Sequence, residues 1–314
     1  MLPQQFSNDT YWKEIYSQPL PYWQESLARI TQRHFREMIH WERAELGRNI
    51  VFLSEDWMIK LTPPGWVEDV PRETSALRTA AGQLPVDIPE LVFTGALDQW
   101  QYIIERSLPG ANLRNLWGGM AAAQRARIAI QHGEILAALH RIEVTEPEAR
   151  AALAYDWDDL FSHQRSECVP EMRRAGVAPA LVEQVEGYLE SRIGILRQAG
   201  RTVLLHGDLT HLNFLTQLDG ENWRITGLID WGDAKLGAPG HEFISPGVHM
   251  YLGDREALAH FYRGCGDAMK DVQHPDELMV RAMLYYAEDF AFLMNRLPEM
   301  NTCPDWACIS QHMW

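Results

Sequence analysis

Three side-chain oxygen donors sit on two short loops of this chain. His206-Gly207-Asp208-Leu209-Thr210-His211-Leu212-Asn213 supplies Asp208 and Asn213, and Leu228-Ile229-Asp230-Trp231-Gly232-Asp233 places Asp230 seventeen residues after Asn213. A carboxylate that can face a hydroxyl, with an Asn and an Asp that can hold a divalent metal, is the equipment for moving a phosphoryl group from a magnesium nucleotide to an alcohol. The short pattern alone would recur by chance. The apolar runs Thr202 to Leu205 and Ile225 to Ile229 make it specific, because two strands can then carry both loops to one place. Lys60 lies in the apolar strand Trp57-Met58-Ile59-Lys60-Leu61, where a lysine taken alone belongs on the solvent face as readily as in a site. Glu73, early in the next helix, is placed to pair with it, and a lysine paired in this way can reach nucleotide phosphates.

The elements that must position these residues change character along the chain. Residues 7 to 35 read as helical, interrupted at Pro19 and Pro21. Strands are expected over Met38 to Leu46, Asn49 to Leu53 and Trp57 to Leu61, with turn chemistry at Gly47-Arg48-Asn49 and Ser54-Glu55-Asp56. A helix over Glu68 to Ala81 follows, then strands Glu90 to Thr94 and Gln101 to Arg106 around Leu97-Asp98-Gln99. After Leu108-Pro109-Gly110 almost everything reads helical. Met120 to Ile142 carries Ile128, Ile135, Leu139 and Ile142 on one stripe, and Ala180 to Gln198 and Asp276 to Leu297 behave alike. Strands return only between Thr202 and Trp231. The division expected is residues 1–107, an N-terminal helix with a β-rich nucleotide-binding lobe, and 108–314, a helical lobe carrying the polar loops.

Composition narrows the partners. A net charge of −15 argues against nucleic acid, whose binding rests on cationic contacts to phosphates, and favours a cationic small molecule. No apolar run could span a membrane, and the first residues show no basic segment followed by an apolar one, so a cytoplasmic protein is expected, as a monomer or weak homodimer. Cys168, Cys265, Cys303 and Cys308 are scattered. Cys303-x4-Cys308 has no matching pair at zinc spacing, so reduced thiols are expected.

Taken together these residues resemble the aminoglycoside phosphotransferase family, small-molecule kinases with a protein-kinase-like fold. The resemblance runs from about residue 45 to 245. It is carried by Lys60, Glu73, Ile88-Pro89-Glu90-Leu91-Val92, Tyr102 to Gly110, Leu136-Ala137-Ala138-Leu139-His140, His206 to Asn213 and Ile229 to Asp233. Within the family, Tyr251 to Leu258 and the N-terminal helix are most similar to hygromycin B phosphotransferases of the 7''-O-kinase type. The resemblance implies an α+β, two-lobe fold and ATP as phosphoryl donor. GTP stays open, because the first hairpin has one glycine, Gly47, and no glycine-rich phosphate loop. It further implies Asp208 as catalytic base, Asn213 and Asp230 on Mg2+, His206 as a buttress and Gly207 as the backbone turn. Lys60 and Glu73 would serve the phosphates, and backbone groups around Arg106 to Leu108 the adenine. Where the family commonly has Gly-Asp-Pro after the metal loop, this chain has Gly237-Ala238-Pro239, which removes a local helix cap.

Acceptor residues are sought among the acidic and aromatic side chains of the helical lobe. Polyamino sugars need carboxylates for their ammonium groups and flat faces for their rings. The candidates are Asp156, Trp157, Asp158, Asp159, Asp233, Glu242, Glu288, Asp289 and Trp306; each taken singly belongs on a solvated helix face unless the fold aims it at Asp208. His132 and His140 read as packing residues. The resulting expectation is an ATP-dependent O-kinase for an aminoglycoside or aminocyclitol, hygromycin B first. Choline, homoserine, a sugar or a macrolide are the alternative acceptors. A kinase-like binding protein without turnover is the alternative of another class, and a metal hydrolase built on His206, Asp208 and His211 the remaining one.

Overall fold

The computed structural model describes residues 2–3, 6–7, 10–44, 49–198, 201–272 and 275–314. Period-two alternation builds its first layer. Strands β1 (Glu42–Arg43), β2 (Ile50–Leu53), β3 (Trp57–Thr62), β4 (Leu91–Leu97) and β5 (Trp100–Arg106) form an antiparallel sheet in the order β1-β2-β3-β5-β4. Ile50, Phe52, Ile59, Leu61, Tyr102 and Ile104 face one side, where helix α1 (Leu20–His34) buries Trp23, Leu27 and Ile30 against them. Side chains alternate across a strand, so Lys60 and its register partner Ile103, with Met58 opposite Glu105, project from the other face. Asp98 and Gln99 take positive φ in the two-residue connection of β4 to β5, the geometry that matches the twist of a tight hairpin. Helix α2 (Asp69–Ala80) follows β3 and buries Glu73 on the side of Lys60.

The remainder is mostly helical. Short β6 (Ala111–Asn112) joins β8 (Phe214–Asp219) and β9 (Asn222–Leu228), while β7 (Val203–Leu205) pairs with β10 (Lys235–Gly237). Helices follow in the order α3 (Arg114–Trp117), α4 (Ala122–Leu139), α5 (Pro147–Leu153), α6 (Trp157–Ala175), α7 (Pro179–Val182), α8 (Val185–Arg192), α9 (Arg255–Cys265), α10 (Asp276–Tyr285), α11 (Phe290–Arg296) and α12 (Trp306–Met313). One core gathers α2, α4, α9 and the loop-bearing strands; a second gathers α6, α8, α10, α11 and α12. This is the α+β arrangement expected. No helix among the described residues is long and apolar enough to cross a membrane.

Several boundaries differ from the sequence reading. Among the described residues the strand expected over Met38 to Leu46 is confined to Glu42–Arg43, while Glu45, Leu46 and the turn residues Gly47 and Arg48 lie outside them. The helix expected over Ala180 to Gln198 breaks into α7, α8 and a 3-10 stretch, Ile193–Gln198, which contains the poor helix former Gly194. Asp276 to Leu297 divides at Tyr286, whose backbone (φ −126°, ψ 31°) leaves the helical region. The cysteines also differ: Cys303 and Cys308 are joined, with Cα atoms 5.5 Å apart, well within disulfide reach, while Cys168 and Cys265 are free and buried.

Helices α4 and α9 cross closely enough that their backbones touch. A Cβ at Gly133 would collide with the Phe261 carbonyl, and one at Gly264 with the Ile130 carbonyl. Both positions lie where rigid backbone, rather than a movable side chain, sets the limit. Gly133→Ala is therefore expected to cost about 1–3 kcal/mol by forcing the helices apart, read as a lowered midpoint in urea unfolding. An unchanged midpoint would mean that the crossing is loose.

Candidate active site

The catalytic-type loop leaves β7 at His206, and its shape is fixed from below. Glu242 is 1% exposed and accepts hydrogen bonds from the His206 amide (2.6 Å) and the Gly207 amide (3.1 Å). Burial pushes its carboxyl up to about 7, while those two amides and the Lys235 charge favour the ionised form. Gly207 has φ 89°, and a Cβ there would strike the Asp233 carbonyl, so the loop needs glycine for both conformation and room. His206 ties this loop to the second one. Its Nε2 lies 3.1 Å from the Ile229 carbonyl and its ring meets buried Trp231 edge-on at 4.9 Å. Burial lowers its pKa, consistent with a neutral ring whose Nε2–H donates to that carbonyl.

Asp208 is held at both oxygens. Ser245 Oγ donates to Oδ1 at 3.0 Å and Asn213 Nδ2 to Oδ2 at 2.8 Å; Asn213 Nδ2 also reaches the Asp208 carbonyl. With its amide nitrogen committed, Asn213 turns its carboxamide oxygen away from Asp208 and free for another partner. Asp230 adopts φ 62°, rare for a residue with a side chain, two residues after the end of β9. One of its oxygens takes a hydrogen bond from Lys60 Nζ at 2.8 Å, yet the side chain is 53% exposed. An amide oxygen and a half-exposed carboxylate are hard donors of the kind Mg2+ takes alongside water and phosphates.

Lys60 is the electrostatic centre. Its Nζ donates to Glu73 Oε1 at 2.5 Å as well as to Asp230. Burial disfavours its charge, but Asp230, Glu73 and Glu105 outweigh that and raise its pKa well above the usual value. The same ammonium lowers Asp230. Glu105, buried on the Lys60 face of β5, is pushed up to about 8 by burial and by Glu73, and its Oε1 has no hydrogen-bond partner.

The structure brings together Lys60, Glu73, Asp208, Asn213 and Asp230, all singled out from sequence. Asp233 stands beside them, exposed, with its carbonyl against Gly207. Near Arg106 to Leu108, the amides of Arg106 and Ser107 donate to the Glu90 and Asp56 carbonyls, and the Leu108 amide has no partner among the described residues. The Arg106 side chain instead stacks over Trp57 at 4.4 Å. Glu242, expected in an acceptor pocket, is not there; both its oxygens serve the loop backbone. Asp156 is not there either. It caps α6 by accepting from the Asp159 amide, and Asp158 is exposed near Arg150 and Arg165. Trp157 bonds the Leu236 carbonyl, beside the Gly237 end of the β7–β10 ladder, opposite the end from which Asp208 emerges. Trp306 is buried, bonded to the Leu181 carbonyl. Glu288 is exposed, whereas Asp289 lies within electrostatic reach of His249 and Tyr286. Sequence reasoning missed Ser245, His249 and Tyr286. The two rings meet edge-on at 4.8 Å, and Ser245 lies near enough to the Tyr286 hydroxyl to influence its ionisation. No spacing in the sequence marks them.

The chain is similar to known proteins over most of its length. Residues 44–278 match the model of the phosphotransferase enzyme family. The fold is similar to wild-type aminoglycoside 2'-phosphotransferase-IIIa in its GDP complex, at TM-score 0.63 and 22% identity over 92% of this chain and 96% of that one. It is also similar to the macrolide 2'-phosphotransferase MphH of Brachybacterium faecium, at TM-score 0.58 and 20% identity over 89% and 95%. A third likeness is to APH(2'')-IIa in its ternary complex with streptomycin and ATP, at TM-score 0.56 and 16% identity over 85% and 95%. With three quarters of its length matched to that model and a protein-kinase-like α+β fold, the chain belongs to the phosphotransferase enzyme family.

Proposed function

We propose that this enzyme transfers the γ-phosphoryl group of ATP, with Mg2+, to a hydroxyl of an antibiotic of the aminoglycoside or aminocyclitol class, hygromycin B being the leading acceptor. The observation that carries the chemistry is Asp208, its two oxygens oriented by Ser245 and Asn213 within one loop of the Asn213 and Asp230 oxygen donors. Division at residue 107/108 would place the nucleotide between the sheet and the helical part, with the Leu108 amide free for a base edge. GTP is the alternative donor, and some of the structural neighbours were solved with GDP, ADP or ATP.

In this reading the protein supplies alignment more than covalent chemistry. Asp208 orients the acceptor hydroxyl and takes its proton as the bond to phosphorus forms. Lys60 moves part of its charge from Asp230 to the phosphates, kept in place by Glu73. Asn213 and Asp230 would hold Mg2+, which when bound neutralises charge on the transferring group. Glu242 acts through backbone only: it keeps the His206 and Gly207 amides fixed, and with them the position of Asp208.

A macrolide is the second reading, and one observation favours it. The groups in electrostatic reach of His211 and His249 include Arg114 and Arg296 beside Asp208 and Asp289, a less acidic surrounding than a polyammonium sugar calls for. Turnover measured by ADP release against aminoglycosides, hygromycin B, macrolides, choline and homoserine separates these acceptors. Consumption of ATP with none of them, despite tight ATP binding, would count against an antibiotic acceptor.

Three substitutions test the roles. Asp208→Ala is expected to lower kcat by about 10²–10⁴-fold while leaving Mg-ATP affinity essentially unchanged, since a general base contributes on that scale; near wild-type turnover would remove Asp208 from the chemistry. Lys60→Ala leaves Glu73, Glu105 and Asp230 without their common cation, so a raised KM for ATP and a loss of about 3–5 kcal/mol of stability are expected together. Glu242→Gln keeps the volume but can accept from only one of the two amides. Its kcat should fall roughly 10- to 100-fold, the scale of a small misplacement of reacting groups. The pH dependence follows with a definite sign. The protonated Glu242 cannot serve both amides equally, so kcat/KM should rise with pH through an apparent pKa of about 7 in the parent and lose that step in Glu242→Gln. A step of equal size in both proteins would assign it to another group.

A further inference from the structure

Away from this site, the C-terminal helix carries a cluster that phosphoryl transfer does not use. Cys303 closes the 3-10 segment Pro298–Thr302, and Cys308 lies in the first turn of α12, where Asp305 caps the helix by accepting from the Cys308 amide at 2.8 Å. His312 follows Cys308 by one turn, so the two share a helix face. Its Nδ1 is 3.6 Å from Cys303 Sγ and 3.9 Å from Cys308 Sγ, and all three donor atoms lie within 4.8 Å of one another. Cys303 is buried, while Cys308 and His312 are half-buried, so an ion can reach the cluster and still be shielded.

We propose that Cys303, Cys308 and His312 form a binding site for a thiophilic divalent cation of the Zn2+ type when the two cysteines are reduced. Two thiolates and an imidazole are soft donors that select such ions over Mg2+. A tetrahedral ion with sulfur at about 2.3 Å and nitrogen at about 2.0–2.1 Å has sulfur–nitrogen edges of about 3.6 Å. The two edges to His312 already match that figure within a few tenths of an ångström. The sulfurs, bonded in this structure, must part to an edge of about 3.8 Å. The His312 ring must also exchange its contact with the Cys308 carbonyl, 2.9 Å away, for the ion. Three protein ligands leave a fourth position for water.

The balance is simple. A dithiol reductant gives two electrons to the Cys303–Cys308 bond and becomes a disulfide, leaving two thiols. Binding of Zn2+ then releases two protons, one from each thiol. The disulfide and the metal site are alternative fastenings of the same place, the start of α12. That helix is anchored by Trp306 bonding the Leu181 carbonyl, and Trp314, which follows it, packs against Gly247, two residues beyond Ser245.

The test uses full-length protein reduced by a dithiol, freed of reductant without air, and titrated with Co2+. One equivalent should bind with a thiolate-to-cobalt charge-transfer band and the intense visible bands of a tetrahedral ion, and Zn2+ should displace it. Cys303→Ser and Cys308→Ser should each lose the charge-transfer band. His312→Ala should weaken binding by at least the roughly 10-fold that even an outer-shell partner of a ligand is worth. Absence of the band in the reduced parent, or its survival unchanged in both serine variants, overturns the proposal. Alkylation of the reduced parent keeps the test independent of how the variants fold. Zn2+ should slow modification of Cys303 and Cys308 together, and equal rates with and without Zn2+ would leave a disulfide there and no metal site.

Discussion

One ammonium group organises the candidate site. Lys60 Nζ is shared between Glu73 on α2 and Asp230 on the loop after β9, with Glu105 on β5 close enough to feel it. Buried Glu73 and Glu105 beside half-exposed Asp230 would be costly if the cation were absent, because desolvated charges are tolerated only when paired. The sheet, the helix that follows β3 and the metal-type loop are thus tied together by charge as well as by packing. The pairing also fixes which face of β3 looks toward the candidate site. With Ile59 and Leu61 committed to the core under α1, period-two geometry leaves Lys60 no side other than the one where Glu73 and Asp230 lie.

A second buried carboxylate does comparable service for the loop itself. Glu242 lies in a 3-10 turn, Pro239–Phe243, and reaches the two amides that begin the His206 to Asn213 segment. Backbone amides in a sharp turn have no secondary-structure partners of their own, so a buried acceptor is what satisfies them. The segment has Ala238 where the family commonly has an aspartate. Its turn forms without a side-chain cap, started by Pro239 at the first helical position, where a missing N–H costs nothing.

Legibility in the sequence followed the range of the interaction. Asp208, Asn213, Asp230 and Lys60 were readable because each sits at a fixed offset from an apolar run, and strands impose those offsets locally. Glu73 was readable because one helix after one strand leaves few places for a counter-ion. Ser245 and Tyr286 were not, since Ser245 meets Asp208, and Tyr286 comes near Ser245, across about forty residues of chain through an irregular turn and a helix break. Glu242 was named for the right neighbourhood and the wrong partner: a sequence shows an acidic residue near a site, but not whether it faces ligand or backbone. The cysteines show the same limit. Cys303-x4-Cys308 lacked a second pair, and only the turn of α12 reveals that His312 stands next to both sulfurs.

The break between α10 and α11 explains why acceptor choice is the least readable property. Had Asp276 to Leu297 stayed one helix, Tyr286 and Asp289 would have followed a single regular stripe. Instead Tyr286 leaves the helical region and its ring meets His249, with Ser245 and Asp289 within electrostatic reach of its hydroxyl. In the reading proposed, the acceptor lies against this interruption, next to the Asp208 carboxylate that Ser245 orients. Phosphoryl chemistry then rests on regular strands and the loops they carry, and acceptor choice on an irregular turn. Substitutions in that turn can change which hydroxyl is presented without touching Lys60, Asn213 or Asp230, which is how one phosphotransferase fold can serve chemically different acceptors.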